Sequence, residues 1–285
     1  MHNGFALPEH PLISLVKCGN ACPAGRQEFT TDFYMIGFKK LQSGIFRYGK
    51  TKYDHQNGSM SYVKPGQVIS FQDLEFEEEG FLIFFHEDYL IGHTLHSDLK
   101  KYNFFNYDVN EALHLSPTEE HIMRDLYEKV KTEYLNNQDE YSREIIIGHI
   151  DSMLKYSQRY YKRQFLNRKE LTGKTTAKFN ELLATFSTTG VLKENGFPSV
   201  KSMADQLNIS AHYLTDLLKQ ETGKTALELI HLSLISEAKN LLKGSDNNIT
   251  ETAYALGFDN LPYFSRLFKK VAGVSPKQFQ NQMLN

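Results

Sequence analysis

The stretch ADQLNISAHYLTDLLKQETGKT, starting at Ala204, returns as AYALGFDNLPYFSRLFKKVAGVS, starting at Ala253. Ala204 matches Ala253, Leu207 matches Leu256, Asn208 matches Gly257 and Ile209 matches Phe258. After a one-residue insertion Tyr213 pairs with Tyr263, Leu214 with Phe264, Thr215 with Ser265, Leu217 with Leu267 and Leu218 with Phe268. Lys219 pairs with Lys269, and Gly223 with Gly273. A chain that repeats a unit of this length must build the same supersecondary piece twice. Each copy has a small residue where two helices cross, then Asn or Gly where φ > 0 is needed, then an apolar plug and a second apolar stripe. That is the pattern of a helix-turn-helix, and two copies with matched closing glycines exclude a chance helical hairpin.

The second copy ends in a short basic helix. Phe264, Leu267, Phe268 and Val271 follow helical spacing, while Arg266, Lys269 and Lys270 lie off that stripe. Pro262 stands in the first turn, where its missing N–H costs nothing. Between the copies runs ALELIHLSLISEAKNLLKG, Ala226 to Gly244, apolar on one stripe and closed by a C-cap glycine. Its helical part spans about 27 Å at 1.5 Å per residue. That suits two reading helices placed about one DNA turn, roughly 34 Å, apart.

The chain has 285 residues and a net charge of −2. The charge is uneven: 14 basic against 23 acidic residues over 1–154, 8 against 1 over 155–179, and 10 against 10 over 180–285. An acidic half, a basic band and a neutral half indicate modular construction. Residues 26–90 read as short strands broken by QNGS, KPGQ and EEEG, which is turn chemistry and favours a small barrel or sandwich. From Ser116 the texture becomes helical, with Ser116 as N-cap and Pro117 at the first position. A second helix is expected over 139–165. Its seam of Ile146, Ile150, Met153, Ser157, Tyr160 and Gln164 could pair with a twin in another subunit or pack on the preceding helix. Residues 166–175 are polar and basic and read as a linker.

Cys18 and Cys22 are too few for a structural zinc site, and no basic patch followed by an apolar run opens the chain. A cytoplasmic protein without membrane segments is expected. His86, His93 and His96 have loose spacing in an expected loop and are not read as a metal site. No cofactor motif or catalytic constellation stands out, so the chain is read as no enzyme.

Residues 176–285 resemble the DNA-binding domain of AraC-type (AraC/XylS) transcriptional regulators. The resemblance is carried best by ITETAYALGFDNLPYFSRLFKKVAGVSPKQFQ, Ile249 to Gln280, with its Ile and Ala pair, Gly-Phe turn, Phe-Ser-Arg-x-Phe-Lys helix and closing Gly-Val-x-Pro. It implies double-stranded DNA as partner. Ser210, Ala211, His212, Thr215, Asp216 and Lys219 would face DNA in the first unit. Asn260, Leu261, Pro262, Tyr263, Arg266, Lys269 and Lys270 would do so in the second. His212, Thr215, Asp216, Leu261, Pro262, Tyr263 and Arg266 would meet base edges, and the lysines phosphates. Two departures stand out: Asp216 and Leu234 occupy places where many members carry Arg.

The strand-rich front half is similar to the cupin-like sensor barrel that often precedes this domain, with YVKPGQVISF carrying the Pro65–Gly66 turn. The resemblance implies a small-molecule effector, with Tyr34, Ile36 and Phe38, or their neighbours on the other strand face, lining its pocket. It also implies RNA polymerase as a possible partner. No His-x-His is present, which departs from metal-binding cupin enzymes. The expected fold is α+β: a β-rich cupin-like barrel over 1–115, dimerisation helices over 116–165, a linker over 166–175, and an all-α domain with two helix-turn-helix units over 176–285. The alternatives are a cupin-fold enzyme fused to a helical module and a ligand-free dimeric regulator.

Overall fold

The computed structural model describes residues 10–18, 26–48, 51–52, 58–76, 80–108, 111–136, 139–167, 169–188, 196–243 and 248–283. Cys22, half of the expected thiol pair, lies outside them. The chain divides into two compact units, Met1–Asn167 and Arg168–Asn285.

The first unit holds two antiparallel sheets. One has five strands in the order β1 (Ile13–Cys18), β8 (Gly80–Phe85), β3 (Tyr34–Lys39), β6 (Ser59–Val63) and β9 (Leu113–His114). The other has four, β2 (Arg26–Phe29), β7 (Ile69–Phe76), β4 (Leu41–Tyr48) and β5 (Thr51–Lys52). The chain crosses repeatedly between sheets, the habit of sandwiches and flattened barrels. Lys64, Pro65, Gly66 and Gln67 form the turn between β6 and β7. Gly66 has φ 76°, and the Gln67 N–H reaches the Lys64 carbonyl at 3.4 Å. Proline followed by a positive-φ glycine is the demand of a type II turn.

One face of the five-stranded sheet is covered by helices. α1 (Thr94–Asp98) lies in a loop; α2 (Pro117–Leu135) and α3 (Ser142–Asn167) form an antiparallel pair on the sheet. Ser116 and Glu119 close a capping box at the start of α2, and Pro117 opens it. Met123, Leu126, Tyr127, Val130 and Tyr134 supply its buried stripe at helical spacing. The Phe81 ring stacks on Tyr127 at 4.1 Å between centroids, and the Arg124 guanidinium sits 4.3 Å over Phe38. Tyr62 packs on Phe104 at 4.5 Å and its hydroxyl meets that of Ser157.

The strand register settles which face of β3 does what. Tyr34 pairs with Phe85, Ile36 with Ile83 and Tyr62, and Phe38 with Phe81 and Met60, so these side chains share the helix-covered face. Ile36 and Phe38 are fully buried there. Of the three residues expected to line an effector pocket, Ile36 and Phe38 thus lie in the core between sheet and helices, and Tyr34 is half-buried at its edge. The opposite face carries Met35, Gly37, Lys39, Ser61 and Leu82.

Of the two expectations for the α3 seam, packing on the preceding helix and its own unit is the one observed. Ile146, Ile150, Met153, Ser157, Tyr160 and Gln164 are all buried within the unit. Gln164 accepts from the His114 N–H at 2.8 Å and donates to the Ala112 carbonyl at 3.2 Å. These side chains pack inside the unit, and of their polar groups all but the Tyr160 hydroxyl are already bonded.

His86 and His93 serve the loop as caps: their Nδ1 atoms accept from the Asp88 and Leu95 N–H groups at 3.2 and 3.0 Å. His96 instead faces Glu87 at 3.2 Å. Arg143 of α3 ties the same loop down through the Tyr89 and Ile91 carbonyls. No cluster of three His, Cys, Asp or Glu suited to a metal occurs among the described residues. Among them, no helix is long and apolar enough to cross a membrane.

The second unit is helical: α4 (Lys169–Thr188), α5 (Val200–Leu207), α6 (Ala211–Thr222), α7 (Ala226–Lys243), α8 (Ile249–Ala255), α9 (Leu261–Ala272) and α10 (Pro276–Met283). α3 ends at Asn167 and α4 begins at Lys169, so most of the expected linker is helix. Its Lys, Glu and Leu residues are strong helix formers, and they outweigh the roughly 1 kcal/mol that Gly173 costs in a helix interior. Phe179 and Leu183 place α4 in the core of this unit.

Candidate nucleic-acid interface

Both repeats fold into the same corner. In the first, Ser199 caps α5 by accepting from the Ser202 N–H at 3.0 Å. The helix stops at Asn208, with φ 57° and ψ 40°, a left-handed conformation that Asn tolerates. The Ile209 N–H then reaches back to the Ala204 carbonyl at 3.1 Å. In the second, Asn248 and Glu251 form a capping box at α8, Gly257 has φ 78°, and the Phe258 N–H donates to the Ala253 carbonyl at 3.0 Å. Ala204 and Ala253 are each 1% exposed, so helix meets helix at a methyl group in both units. The inserted residue, Asp259, falls between the plug Phe258 and the next cap Asn260. It lengthens the turn without disturbing either helix.

The second helix of each unit is fixed at both ends. Ser210 accepts from the Tyr213 N–H at 3.2 Å, and Asn260 from the Tyr263 N–H at 2.8 Å. At the far ends Gly223 (φ 73°) and Gly273 (φ 81°) donate their N–H groups to the Lys219 and Lys269 carbonyls. Tyr213, Leu214, Leu217 and Leu218 bury one face of α6. Phe264, Leu267 and Phe268 bury one face of α9 within a chain of rings that includes Phe258 and Phe279.

The remaining faces carry the residues singled out from the sequence. On α6, His212 and Lys219 are exposed, while Ala211, Thr215 and Asp216 are half-buried. The Thr215 hydroxyl donates to the Ala211 carbonyl at 2.8 Å, which leaves its oxygen lone pairs and methyl group to face outward. On α9, Pro262, Tyr263, Arg266, Lys269 and Lys270 are exposed, and Leu261 is half-buried at the first helical position. His212, Thr215, Asp216 and Lys219 recur at helical spacing on one side of α6, as Pro262, Tyr263, Arg266, Lys269 and Lys270 do on α9. Ser210 and Asn260 have their side-chain oxygens engaged as caps, so each contributes first a rigid helix start, and with it the positive end of the helix dipole.

The electrostatic surroundings separate the lysines. Thr225 caps α7 and holds the Glu228 carboxyl below its usual range through the Thr225 N–H and hydroxyl, with Lys224 and Lys270 adding to the effect. Burial lowers the His231 pKa first, and Lys270 lowers it further. Lys270 thus shares its charge with the start of α7. Leu234, at a place where the resemblance implies Arg in many members, is 5% exposed and belongs to the α7 core.

Sequence reasoning did not find Glu221. It sits in the last turn of α6, where the helix dipole disfavours a carboxylate. One oxygen accepts from the Thr176 hydroxyl of α4; the other, Oε1, is buried without a partner among the described residues. Burial pushes its pKa up to about 7. A glutamate at a helix C-terminus was the available signal.

Two corners of one design, each presenting a polar helix face that on α9 is also basic, define a double helix-turn-helix module. Residues 203–282 match the family model described as a helix-turn-helix domain. The C-terminal region is an AraC-type helix-turn-helix domain. The chain is 37% identical over 81 residues to the xylose operon regulatory protein of Haemophilus influenzae, covering 28% of this chain and 21% of that protein. It is 33% identical over 106 residues to the HTH-type transcriptional activator RhaS of Salmonella schwarzengrund, covering 36% of each. The matches thus span about a fifth to a third of these relatives. Among solved structures, the C-terminal domain of AraT, a response regulator from Geobacillus stearothermophilus, is 30% identical, covering 38% of this chain and 84% of that one with a TM-score of 0.33.

Proposed function

We propose that this chain is a sequence-specific DNA-binding transcriptional regulator. The observation that carries the reading is the duplicated corner: two capped, rigid helices, each with a solvent face of hydrogen-bonding side chains, basic on α9. They are joined by the 18-residue α7, about 27 Å long. Arg266 would grip a guanine through O6 and N7, and Tyr263, Pro262, Leu261, His212, Thr215 and Asp216 would meet neighbouring base edges. Lys219, Lys269 and Lys270 would hold phosphates. Selection of bound duplexes from a random pool by the full-length protein, at one stated salt concentration, tests this. Two half-sites about one helical turn apart are expected; recovery of no motif in the presence or absence of candidate effectors would overturn it.

The reading extends to the first unit as a cupin-like sensor. Its effector would lie on the strand face of Met35, Gly37, Ser61 and Leu82. There the buried Ser61 hydroxyl has no partner among the described residues. An effector would act by binding one state of the protein more tightly than another. A ligand-free regulator is the competing reading, and it predicts that no small molecule raises the melting temperature. We also assign a homodimer, contact with RNA polymerase and a cytoplasmic location to this reading. The dimer contact would avoid the buried α3 seam and use Leu135, Tyr141 and Ile145, the exposed large apolar residues at the loop end of the α2–α3 pair. No catalytic role is assigned.

A further inference from the structure

A groove of about 550 Å³ opens between the first turn of α2 and the C-terminal half of α3. Ile122, Tyr156, Arg159, Tyr160 and Arg163 line it together with Glu119. Two of its charged groups already pair with each other. Arg163 lies 2.7 Å from the Glu119 carboxylate and donates to the His114 carbonyl at 2.7 Å. Glu119 in turn accepts from the Ser116 N–H at 2.9 Å.

Two other polar groups are not so paired. Tyr160 is 5% exposed, yet its hydroxyl has no hydrogen-bond partner among the described residues. A buried hydroxyl left unpaired costs free energy that a bound acceptor would recover. Arg159 has no carboxylate partner among the described residues; its charge is felt at the Tyr160 hydroxyl, where that of Glu119 is felt more strongly in the opposite sense. The groove also meets the positive end of the 19-residue α2. Burial raises the Tyr160 pKa, so its hydroxyl stays a proton donor at neutral pH. The rest of the lining is apolar or aromatic: the Tyr156 and Tyr160 rings are 5.7 Å apart and tilted by 30°, and Ile122 adds an aliphatic patch.

We propose that this groove binds a small aromatic carboxylate, whose anionic end accepts from the Tyr160 hydroxyl and pairs with Arg159 while its ring lies against Tyr156 and Ile122. One monoanion satisfies both unpaired groups and leaves the Arg163–Glu119 pair intact. The site is separate from the strand face assigned to an effector above and does not depend on DNA binding.

The test is calorimetric titration of the full-length protein with phenylacetate and, separately, with inorganic phosphate. Phenylacetate should bind once per chain. Tyr160→Phe and Arg159→Gln should each weaken it about tenfold or more, the scale of a lost charge-assisted hydrogen bond. Tyr160→Phe should melt no lower than the parent, because the hydroxyl it removes is unpaired; this separates a binding defect from a folding one. The proposal fails if phenylacetate gives no saturable binding up to roughly 10 mM, beyond the millimolar affinity that so small a ligand needs. It fails equally if both variants bind as the parent does, or if phosphate binds and phenylacetate does not.

Discussion

The Phe258 N–H donates to the Ala253 carbonyl at 3.0 Å, and this bond sets the direction in which α9 leaves its corner. It is available only because Gly257 takes φ 78°. A side chain there would cost about 1–2 kcal/mol in the left-handed region. Gly257→Ala should therefore lower the urea midpoint of the second unit and weaken DNA binding. Asn208→Gly, at the matching place, should leave stability within a few tenths of a kcal/mol, since glycine accepts the same φ at little cost.

Arg266 and Asp216 hold comparable places on α9 and α6 but should not weigh equally. Arg266→Ala is expected to cost about 1–3 kcal/mol in binding to the selected duplex and to relax specificity at one base pair. Asp216→Ala should cost far less, because a carboxylate repels phosphate and reads only a cytosine amino group. Equal losses in a gel-shift titration would contradict the assignment.

Lys269 and Lys270 are neighbours with different surroundings. Lys269→Ala should weaken binding to all sequences alike and reduce the salt slope of log K by roughly 0.9, the share of one phosphate contact. Lys270→Ala should change the slope less, because Lys270 shares its charge with Glu228 and lies near His231 at the start of α7. Affinity measured across a salt series resolves the two.

Glu221 makes stability depend on pH. Its carboxyl titrates near 7 in the folded state, above the ordinary value of 4.5. Between those values the folded chain holds a proton that the unfolded chain has released, so stability should fall as pH rises from about 4.5 to about 7 and then level off. His231 acts in the opposite sense: its lowered pKa favours the folded state above the ordinary histidine value, and that gain is lost as pH falls. Glu221→Gln should flatten the decline toward pH 7 and raise the melting temperature at pH 8. A parent protein whose melting temperature rises between pH 5 and 7 would show that Glu221 is not the controlling group.

The α3 seam and the exposed tip of the helix pair predict different phenotypes. Ile150 is fully buried, so Ile150→Ala should cost roughly 2–4 kcal/mol of stability through the cavity it leaves. Tyr141→Ser and Ile145→Ser, on exposed positions, should leave stability nearly unchanged while lowering the dimer fraction in sedimentation. Loss of dimer in a folded Ile150→Ala protein would reverse the assignment.

The two helix-turn-helix units were legible because their signals are local. Ser199, Ser210, Asn248 and Asn260 cap the helices that follow them within three residues, and Gly223, Gly257 and Gly273 close turns whose positive φ favours glycine. The internal repeat then fixed the correspondence between Ala204 and Ala253, and the structure honours it bond for bond. Tyr34, Ile36 and Phe38 were legible as one strand face for the same reason, a period of two. Alternation names two faces without saying which one a helix covers. That was decided by Tyr127 against Phe81 and Arg124 against Phe38, partners more than 40 residues away. The α3 seam was likewise visible as a stripe, but only its contacts with Tyr62, Ala112 and His114 show that it closes on its own unit. The sequence alone determined the elements whose energetics are settled within a turn or a repeat. Tertiary structure alone decided which apolar face meets which, because burial depends on partners that chain folding brings together from far apart.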